Sequence, residues 1–219
     1  MSNTSGIEEV YSYHHSKQTW GGKKVILSQL RGAFLRKYIG TGKTVLDLGC
    51  RDGGLTETYC KGNTVMGVDV DSAELAKARE LGITTAQVDL NGEWGLEGPF
   101  DVVQASEIIE HLYYPEVVIK KIKQILSPNG MLIGSGPHAF PLLARIRLFF
   151  GVKYNTSLAD PTHINHFTAR EFIKLLTDNF REVEVYPIVV PKYQWLSKIF
   201  FFFPYLFADR VFYVAKQPK

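Results

Sequence analysis

Residues 44–53 read TVLDLGCRDG, a short apolar run that contains one acidic residue and ends in a glycine turn. The apolar residues are typical of a strand that is buried on both faces of a parallel sheet. Gly49 and Gly53 allow the backbone to turn tightly against a ligand, before a helix that we predict to start near Leu55. The segment therefore predicts a strand–turn–helix unit that holds a cofactor.

Strand and helix patterns alternate along the rest of the chain. The further predicted strands are TVMGVDV, TTAQVDL, FDVVQAS, MLIGSGP, EVEVYPIVV and RVFYVAKQ. Two of the predicted helices begin with a capping box, one at Asp71 with Glu74 and one at Thr168 with Glu171. This alternation predicts a parallel sheet with right-handed crossovers. The last two strands are too close in sequence for a crossover, so we expect them to pair antiparallel.

Two further segments carry local predictions. Residues 22–39 place Ile26, Leu30, Phe34 and Tyr38 four residues apart, a spacing that predicts a helix with this stripe packed on the sheet. The sequence SPNG at 127–130 predicts a turn before the fifth strand.

The length of 219 residues and the hydrophobic content of 45% predict one α/β domain over residues 1–219. Within it we expect three parts. They are an N-terminal covering segment at 1–40, a cofactor-binding core at 41–138, and substrate-cap insertions at 139–167 and 191–207.

Charge and cysteine content restrict the compartment and the partners. Cys50 and Cys60 have neither the spacing of a zinc site nor that of a disulfide framework, so we expect a reducing cytoplasm. We find no secretory signal and no apolar run long enough to span a bilayer. Residues 139–219 hold 11 Lys and Arg against 6 Asp and Glu, which fits a solvated face, anionic substrates or lipid headgroups. The sequence contains no Lys-rich or Arg-rich run of the kind that would predict DNA binding, so we expect no DNA partner.

The glycine turn departs from the pattern that binds dinucleotides. That pattern, GxGxxG, requires glycine at positions 49, 51 and 54. This chain has Gly49 and Gly54, but the middle position is Arg51. Backbone must approach the pyrophosphate at this middle position. The sequence therefore weighs against a nicotinamide oxidoreductase and favours a cofactor without a pyrophosphate.

Residues 40–140 carry a set of motifs in a specific order. DLGCRDG, GVDVD, QVDL, FDVVQASEIIEHL and LSPNGMLIGSGP together resemble a class I S-adenosylmethionine-dependent methyltransferase of the methyltransferase-11/12 type. The resemblance implies an α/β, Rossmann-like fold: a seven-stranded, mostly parallel sheet with helices on both faces and one antiparallel late strand. It also implies S-adenosyl-L-methionine as cofactor and S-adenosyl-L-homocysteine as product. We expect methylation of an oxygen, rather than a nitrogen or carbon, on a small or lipid-linked molecule.

The resemblance also assigns roles to residues. It implies that the Gly49 turn packs on the methionine part of the cofactor with Asp47 orienting its ammonium group, that Asp69 takes the ribose hydroxyls, and that Asp89 lies beside the adenine. Many relatives have glycine at Arg51, whose side chain would either narrow the cofactor contact or pair with Asp52 or the methionine carboxylate. The expected cofactor-binding residues are Asp47, Gly49, Cys50, Arg51, Gly53, Asp69, Val70, Asp89, Leu90, Ala105 and Ser106.

Histidines supply the candidate general bases. His111 follows the fourth predicted strand, and His163 and His166 precede the helix that begins after Thr168, so all three are expected near the acceptor. Imidazole titrates in the range that is useful for deprotonating a hydroxyl. Capping and loop packing are the alternative roles for them. We expect no metal, although Glu107, Glu110 and His111 form an ExxEH sequence similar to the start of the metal site in small-RNA 3′-terminal 2′-O-methyltransferases. That alternative needs His163 or His166 as a further ligand.

The segment 191–207 joins four consecutive phenylalanines to Trp195, Lys192 and Lys198. Aromatic residues beside cations suit peripheral membrane contact through 195–207, or a lipid-linked or quinone-like substrate. A homodimer contact or a buried lid is the alternative.

Three alternatives to the main function remain. The first is metal-dependent RNA 2′-O-methylation, although we otherwise do not expect RNA as a partner. The second is binding of the cofactor without methyl transfer, and the third is the disfavoured nicotinamide oxidoreductase.

Overall fold

In a computed structural model, which describes residues 5–17, 27–153, 156–189 and 202–219, seven strands form one sheet in the order β3-β2-β1-β4-β5-β7-β6. The strands are β1 (Thr44–Leu48), β2 (Thr64–Asp69), β3 (Thr84–Gln87), β4 (Phe100–Ser106), β5 (Leu126–Pro137), β6 (Phe180–Ile188) and β7 (Arg210–Pro218). Strand β7 runs antiparallel to both β5 and β6, and the remaining neighbours pair parallel. The predicted fold, with one reversed late strand, is confirmed.

Helices cover both faces of this sheet. They are α1 (Ser5–Lys17), α2 (Ser28–Ile39), α3 (Glu57–Cys60), α4 (Ser72–Glu80), α5 (Pro115–Ile125), α6 (Leu142–Phe149), α7 (Ala169–Asn179) and α8 (Pro204–Phe207), with short 3₁₀ turns at Ile109–His111 and Ser157–Ala159. Side chains alternate between faces along a strand. Accordingly Leu46 and Leu48 enter the apolar cluster beneath α5 and α7, whereas Val45 enters the cluster beneath α2.

The structure contains the predicted N-terminal caps of α4 and α7, with one difference. The Thr168 hydroxyl and the Glu171 carboxylate form both halves of the predicted capping box of α7. Asp71 caps α4 by accepting from the amides of Ala73 and Glu74. The Glu74 carboxylate does not complete the box, because it pairs with Lys77 instead.

Two local predictions differ from the structure. The predicted stripe of the covering helix holds in part, because Phe34 and Tyr38 pack against the apolar cluster beneath α2, whereas Leu30 is half-exposed. The buried face of α2 carries Arg31, Leu35 and Ile39, and Ile26 lies outside the described residues. A charged residue occupies this face because it pairs with Glu107. The SPNG turn is instead a bulge within β5: Leu126 pairs with Phe100 while Met131 pairs with Val102, so residues 127–130 bulge between two ladder pairs.

Among the described residues, none of the helices has the length and apolar character that crossing a membrane requires.

Candidate active site

A cavity of about 1490 Å³ opens where the parallel strands end, as expected for an open α/β sheet. Most of the residues predicted to bind the cofactor or the acceptor line it: Gly49, Cys50, Arg51, Asp69, Val70, Asp89, Leu90, Ser106, His111 and His163. Four predicted site residues are not among its lining, namely Asp47, Gly53, Ala105 and His166. The first three lie in or next to the strands that shape the cavity, and His166 lies further along the loop that carries His163.

The turn after β1 is held close to β2. The amides of Gly49 and Cys50 both donate to the carbonyl of Val68, at 2.8 and 3.0 Å. Gly49 has φ +71°, in the left-handed region, and a Cβ atom at this position would overlap Cδ1 of Ile108. The close approach leaves a bare backbone facing the cavity, which only glycine provides.

We expect Gly49→Ala to weaken binding of S-adenosylhomocysteine by at least about tenfold, because the clash must push Ile108 or the turn into the cavity. Isothermal titration of the purified chain measures this effect. The matched control is Gly42→Ala, which has nearly the same φ of +72° but no atom within 4 Å of the added Cβ. Equal losses in the two variants would attribute the effect to backbone strain and contradict the role of the Ile108 contact.

Asp69 lines the cavity at the end of β2 and is held by the backbone. Its Oδ2 accepts from the Arg51 amide at 3.0 Å and its Oδ1 accepts from the Asp71 amide at 2.9 Å. The side chain is 7% exposed. The carboxylate is therefore fixed in orientation beside the glycine turn.

Asp47 supports the turn from within the protein. Its Oδ2 accepts from the Thr56 hydroxyl and the Tyr59 hydroxyl, each at 2.5 Å, and its Oδ1 has no hydrogen-bond partner among the described residues. Burial raises the pKa of this carboxyl to about 6, although the two hydroxyl donors lower it. The residue that the resemblance placed beside the ammonium group thus fixes α3 to β1 in this structure.

The raised pKa of Asp47 predicts a pH-dependent stability. Because the folded chain binds this proton more tightly than the unfolded chain, stability from Asp47 is complete below about pH 4 and is lost as the pH rises to about 6. We expect the free energy of unfolding of the unmodified chain to fall by up to about 3 kcal/mol over this window relative to Asp47→Asn. Urea unfolding at several pH values measures it, and parallel profiles for the two proteins would contradict it.

Among the described residues, the Arg51 side chain lies nearest to Glu74 rather than forming the expected pair with Asp52. Its guanidinium Nη2 lies 3.9 Å from Oε2 of Glu74, and Arg51 itself adopts φ +50°. The side chain therefore turns toward α4, and the sharp turn persists although this position is not glycine.

An ion-pair network that the sequence did not reveal forms one wall of the cavity. Glu107 lies 3.0 Å from Nη2 of Arg31, also pairs with Nη1 of Arg210, and accepts from the Ser135 hydroxyl at 3.0 Å. Burial opposes ionisation of Glu107, but the charges of Arg210 and Arg31 lower its pKa. The sequence signal that points to the network is an arginine, Arg31, between the apolar positions of α2.

Glu110, His111 and His163 converge beside this wall. Each offers one ligand atom, and these atoms lie within 4.8 Å of one another. Burial and the neighbouring His163 lower the pKa of His111 to about 4, so His111 is neutral and weakly basic near pH 7. His166 stands outside the group. Glu107 of the ExxEH sequence is also outside it, because its carboxylate is bound by the two arginines.

The geometry is that of class I S-adenosylmethionine-dependent methyltransferases, in which a reversed seventh strand completes the sheet and a glycine turn faces the cofactor. A family model described as a methyltransferase domain matches residues 24–180, so the chain belongs to this methyltransferase family.

The relatives that match are similar over part of their length. A ubiquinone biosynthesis O-methyltransferase of Pasteurella multocida is 36% identical over 112 residues, which cover 43% of this chain and 46% of the relative. The chain thus spans about half the length of the curated relatives it matches. Among solved structures, a SAM-dependent methyltransferase from Archaeoglobus fulgidus has a TM-score of 0.61 at 19% identity, covering 86% of this chain and 94% of its own. The plantazolicin methyltransferase BpumL, solved with SAH, has a TM-score of 0.60 at 15% identity, covering 97% and 91%. These two show the fold.

Proposed function

We propose that the chain transfers a methyl group from S-adenosyl-L-methionine to a hydroxyl oxygen of a small or lipid-linked molecule. The observation that carries the proposal is that the Gly49 turn, the Asp69 carboxylate and the imidazoles of His111 and His163 line one cavity. Oxygen as the acceptor atom is supported by the Pasteurella multocida relative, which is named an O-methyltransferase.

The residues present fit the parts of the cofactor. Asp69 would accept from the ribose hydroxyls, and Asp89 would accept from the adenine amine, with Val88 and Leu90 as apolar walls. The exposed backbone at Gly49 would pack on the methionine part. Nε of Arg31, a side chain that is 3% exposed, has no hydrogen-bond acceptor among the described residues, whereas Nη2 is engaged by Glu107. This buried N–H donor would suit one oxygen of the methionine carboxylate.

When bound, the cofactor supplies an electrophilic methyl group on a sulfonium. The chain then has to hold the acceptor oxygen in line with that methyl, exclude water and take up the hydroxyl proton. His111 and His163 line the cavity with their ring centroids 4.8 Å apart, and we take this part of the cavity as the acceptor end. We assign deprotonation to this end of the cavity rather than to His166, which does not line it.

Methyl-labelled S-adenosylmethionine incubated with the chain and a cell extract tests the proposal. Label on a small or lipid-extractable molecule, released by reagents that cleave methyl ethers, supports it. Label on RNA would favour the metal-dependent alternative. Titration that shows binding of S-adenosylhomocysteine together with an absence of labelled product would favour a binding protein without transfer activity.

We further propose that a lipid-linked acceptor is reached by contact with an anionic membrane surface. Helix α6 and the residue after it expose Leu143, Ile146, Phe149 and Phe150, and α8, which packs against α6, is preceded by exposed Phe202 and Phe203. Leu143 also lines the cavity, so this aromatic surface adjoins its mouth. Arg145 and Lys153, which are close to these phenylalanines in the sequence, are also exposed. Most of the predicted membrane segment 195–207 lies outside the described residues.

Sedimentation with vesicles that contain phosphatidylglycerol tests this contact. We expect Phe149→Asp with Phe150→Asp to abolish co-sedimentation, because two charges would replace side chains that are 83% and 73% exposed. Val117→Asp, on the exposed face of α5, is the matched control. Loss of a dimer in light scattering, with unchanged vesicle binding, would instead assign the surface to a homodimer.

A further inference from the structure

We propose that Glu110, His111 and His163 bind a divalent transition-metal ion at the acceptor end of the cavity, where the ion holds the acceptor oxygen. The metal site stands on its own geometry. The role of the ion in methyl transfer rests on the proposed function.

The three side chains come from two segments that the backbone ties together. Glu110 and His111 lie in the 3₁₀ turn after β4, and His163 lies in the loop before α7. The carbonyl of Glu110 accepts from the amides of Ile164 and Asn165, both at 2.9 Å. The loop is therefore fixed to the turn immediately beside its histidine, so the three groups are held in place by the backbone.

Both imidazoles are oriented by their other nitrogen. Nδ1 of His111 lies 2.9 Å from the carbonyl oxygen of Thr162, and Nδ1 of His163 lies 3.0 Å from both the carbonyl oxygen and the hydroxyl oxygen of Ser157. A carbonyl only accepts, so hydrogen bonds to these two carbonyls place the proton on Nδ1 and leave a lone pair on Nε2 of each ring. Metal-binding histidines in proteins show this arrangement. Nε2 of His163 also lies 3.9 Å from Oδ2 of Asp160.

The carboxylate completes the set. Glu110 is 1% exposed, and its Oε1 has no hydrogen-bond partner among the described residues. A buried polar atom without a partner calls for a ligand. The ligand atoms lie within 4.8 Å of one another. Atoms bound to one ion at about 2.0–2.2 Å are at most about 4.4 Å apart. Small rotations of the side chains therefore close the site.

The donor set indicates the kind of ion and its role. Two imidazoles with one carboxylate suit zinc, manganese, iron, cobalt or nickel, and three protein ligands leave coordination positions for water and substrate. A hydroxyl bound there loses its proton to water more readily. Its oxygen then forms the bond to the methyl carbon as the carbon–sulfur bond breaks and the electron pair stays on sulfur.

Metal binding by the purified full chain tests the site. After chelator treatment and dialysis, titration with Co²⁺ should give visible absorption bands with one ion per chain, and Zn²⁺ should displace it. We expect His163→Ala and Glu110→Gln each to weaken Co²⁺ binding by at least about 100-fold, since even loss of a group that only orients a ligand costs about 10- to 100-fold. The matched control, His166→Ala, removes a histidine of the same loop that lies outside the group, so its affinity should stay unchanged.

Three results would overturn the inference. They are no Co²⁺ binding by a chain that binds S-adenosylhomocysteine, equal loss in His166→Ala, and unchanged binding in the two ligand variants with native melting curves. In each case the proposed function would stand. Stoichiometric Co²⁺ binding by a chain that transfers no methyl group would leave the site in place and overturn the proposed function.

Discussion

Asp69→Asn is expected to reduce the affinity for S-adenosylhomocysteine by at least about 100-fold. The Asp69 carboxylate lines the cavity and is fixed by the amides of Arg51 and Asp71. Two ribose hydroxyls donating to an ionised carboxylate contribute about 1.5–3 kcal/mol each. An amide group in its place offers one acceptor oxygen and turns an NH₂ group toward a backbone donor. Isothermal titration of both proteins measures the change.

Asp52→Asn serves as the matched control for this prediction. Asp52 lines the same cavity, and its Oδ1 accepts from the Gly54 amide at 3.1 Å in an exposed position. Since an asparagine keeps that oxygen, we expect less than about a threefold change in affinity. Wild-type affinity in Asp69→Asn, with a native melting curve, would show that the ribose lies elsewhere.

Glu107→Ala is expected to lower the free energy of unfolding by about 3 kcal/mol or more. Removal of this carboxylate leaves Arg31 and Arg210, whose side chains are 3% and 17% exposed, without their shared anion. The mutual repulsion of two largely buried guanidinium groups adds to the cost of their lost hydrogen bonds. Urea unfolding at neutral pH measures the loss.

Two further variants separate charge from packing. Glu107→Gln keeps the volume and removes only the charge, so we expect it to retain most of the destabilisation. Asp178→Ala breaks an exposed pair with Lys174, whose side chains are 56% and 73% exposed, and should cost less than about 0.5 kcal/mol. A loss in Glu107→Ala no larger than in Asp178→Ala would show that water or an anion neutralises the arginines.

Features that depend on neighbours along the chain were predictable. The strand and glycine turn at 44–53, the Thr168 cap and the reversal of the last strand follow from residue type, spacing and loop length. The stripe of α2 was predictable in part: Phe34 and Tyr38 pack on the core, but Arg31 is buried by an ion pair with a residue 76 positions away, which apolar spacing does not signal. The hydroxyl partners of Asp47, on α3 and just before it, were not predictable, because they carry no recognisable sequence signal.

By itself, the sequence determined the class of fold, the glycine turn and the position of Asp69, because hydrophobic periodicity and turn chemistry act over a few residues. Only the tertiary structure decided which charged and imidazole groups meet. It joined Arg210 to Glu107, 103 residues apart, and His163 to His111, while it left His166 and Glu107 outside the group of Glu110, His111 and His163. The physical reason is that parallel strands end at one edge of a sheet, and the loops that follow them bring distant residues into contact there.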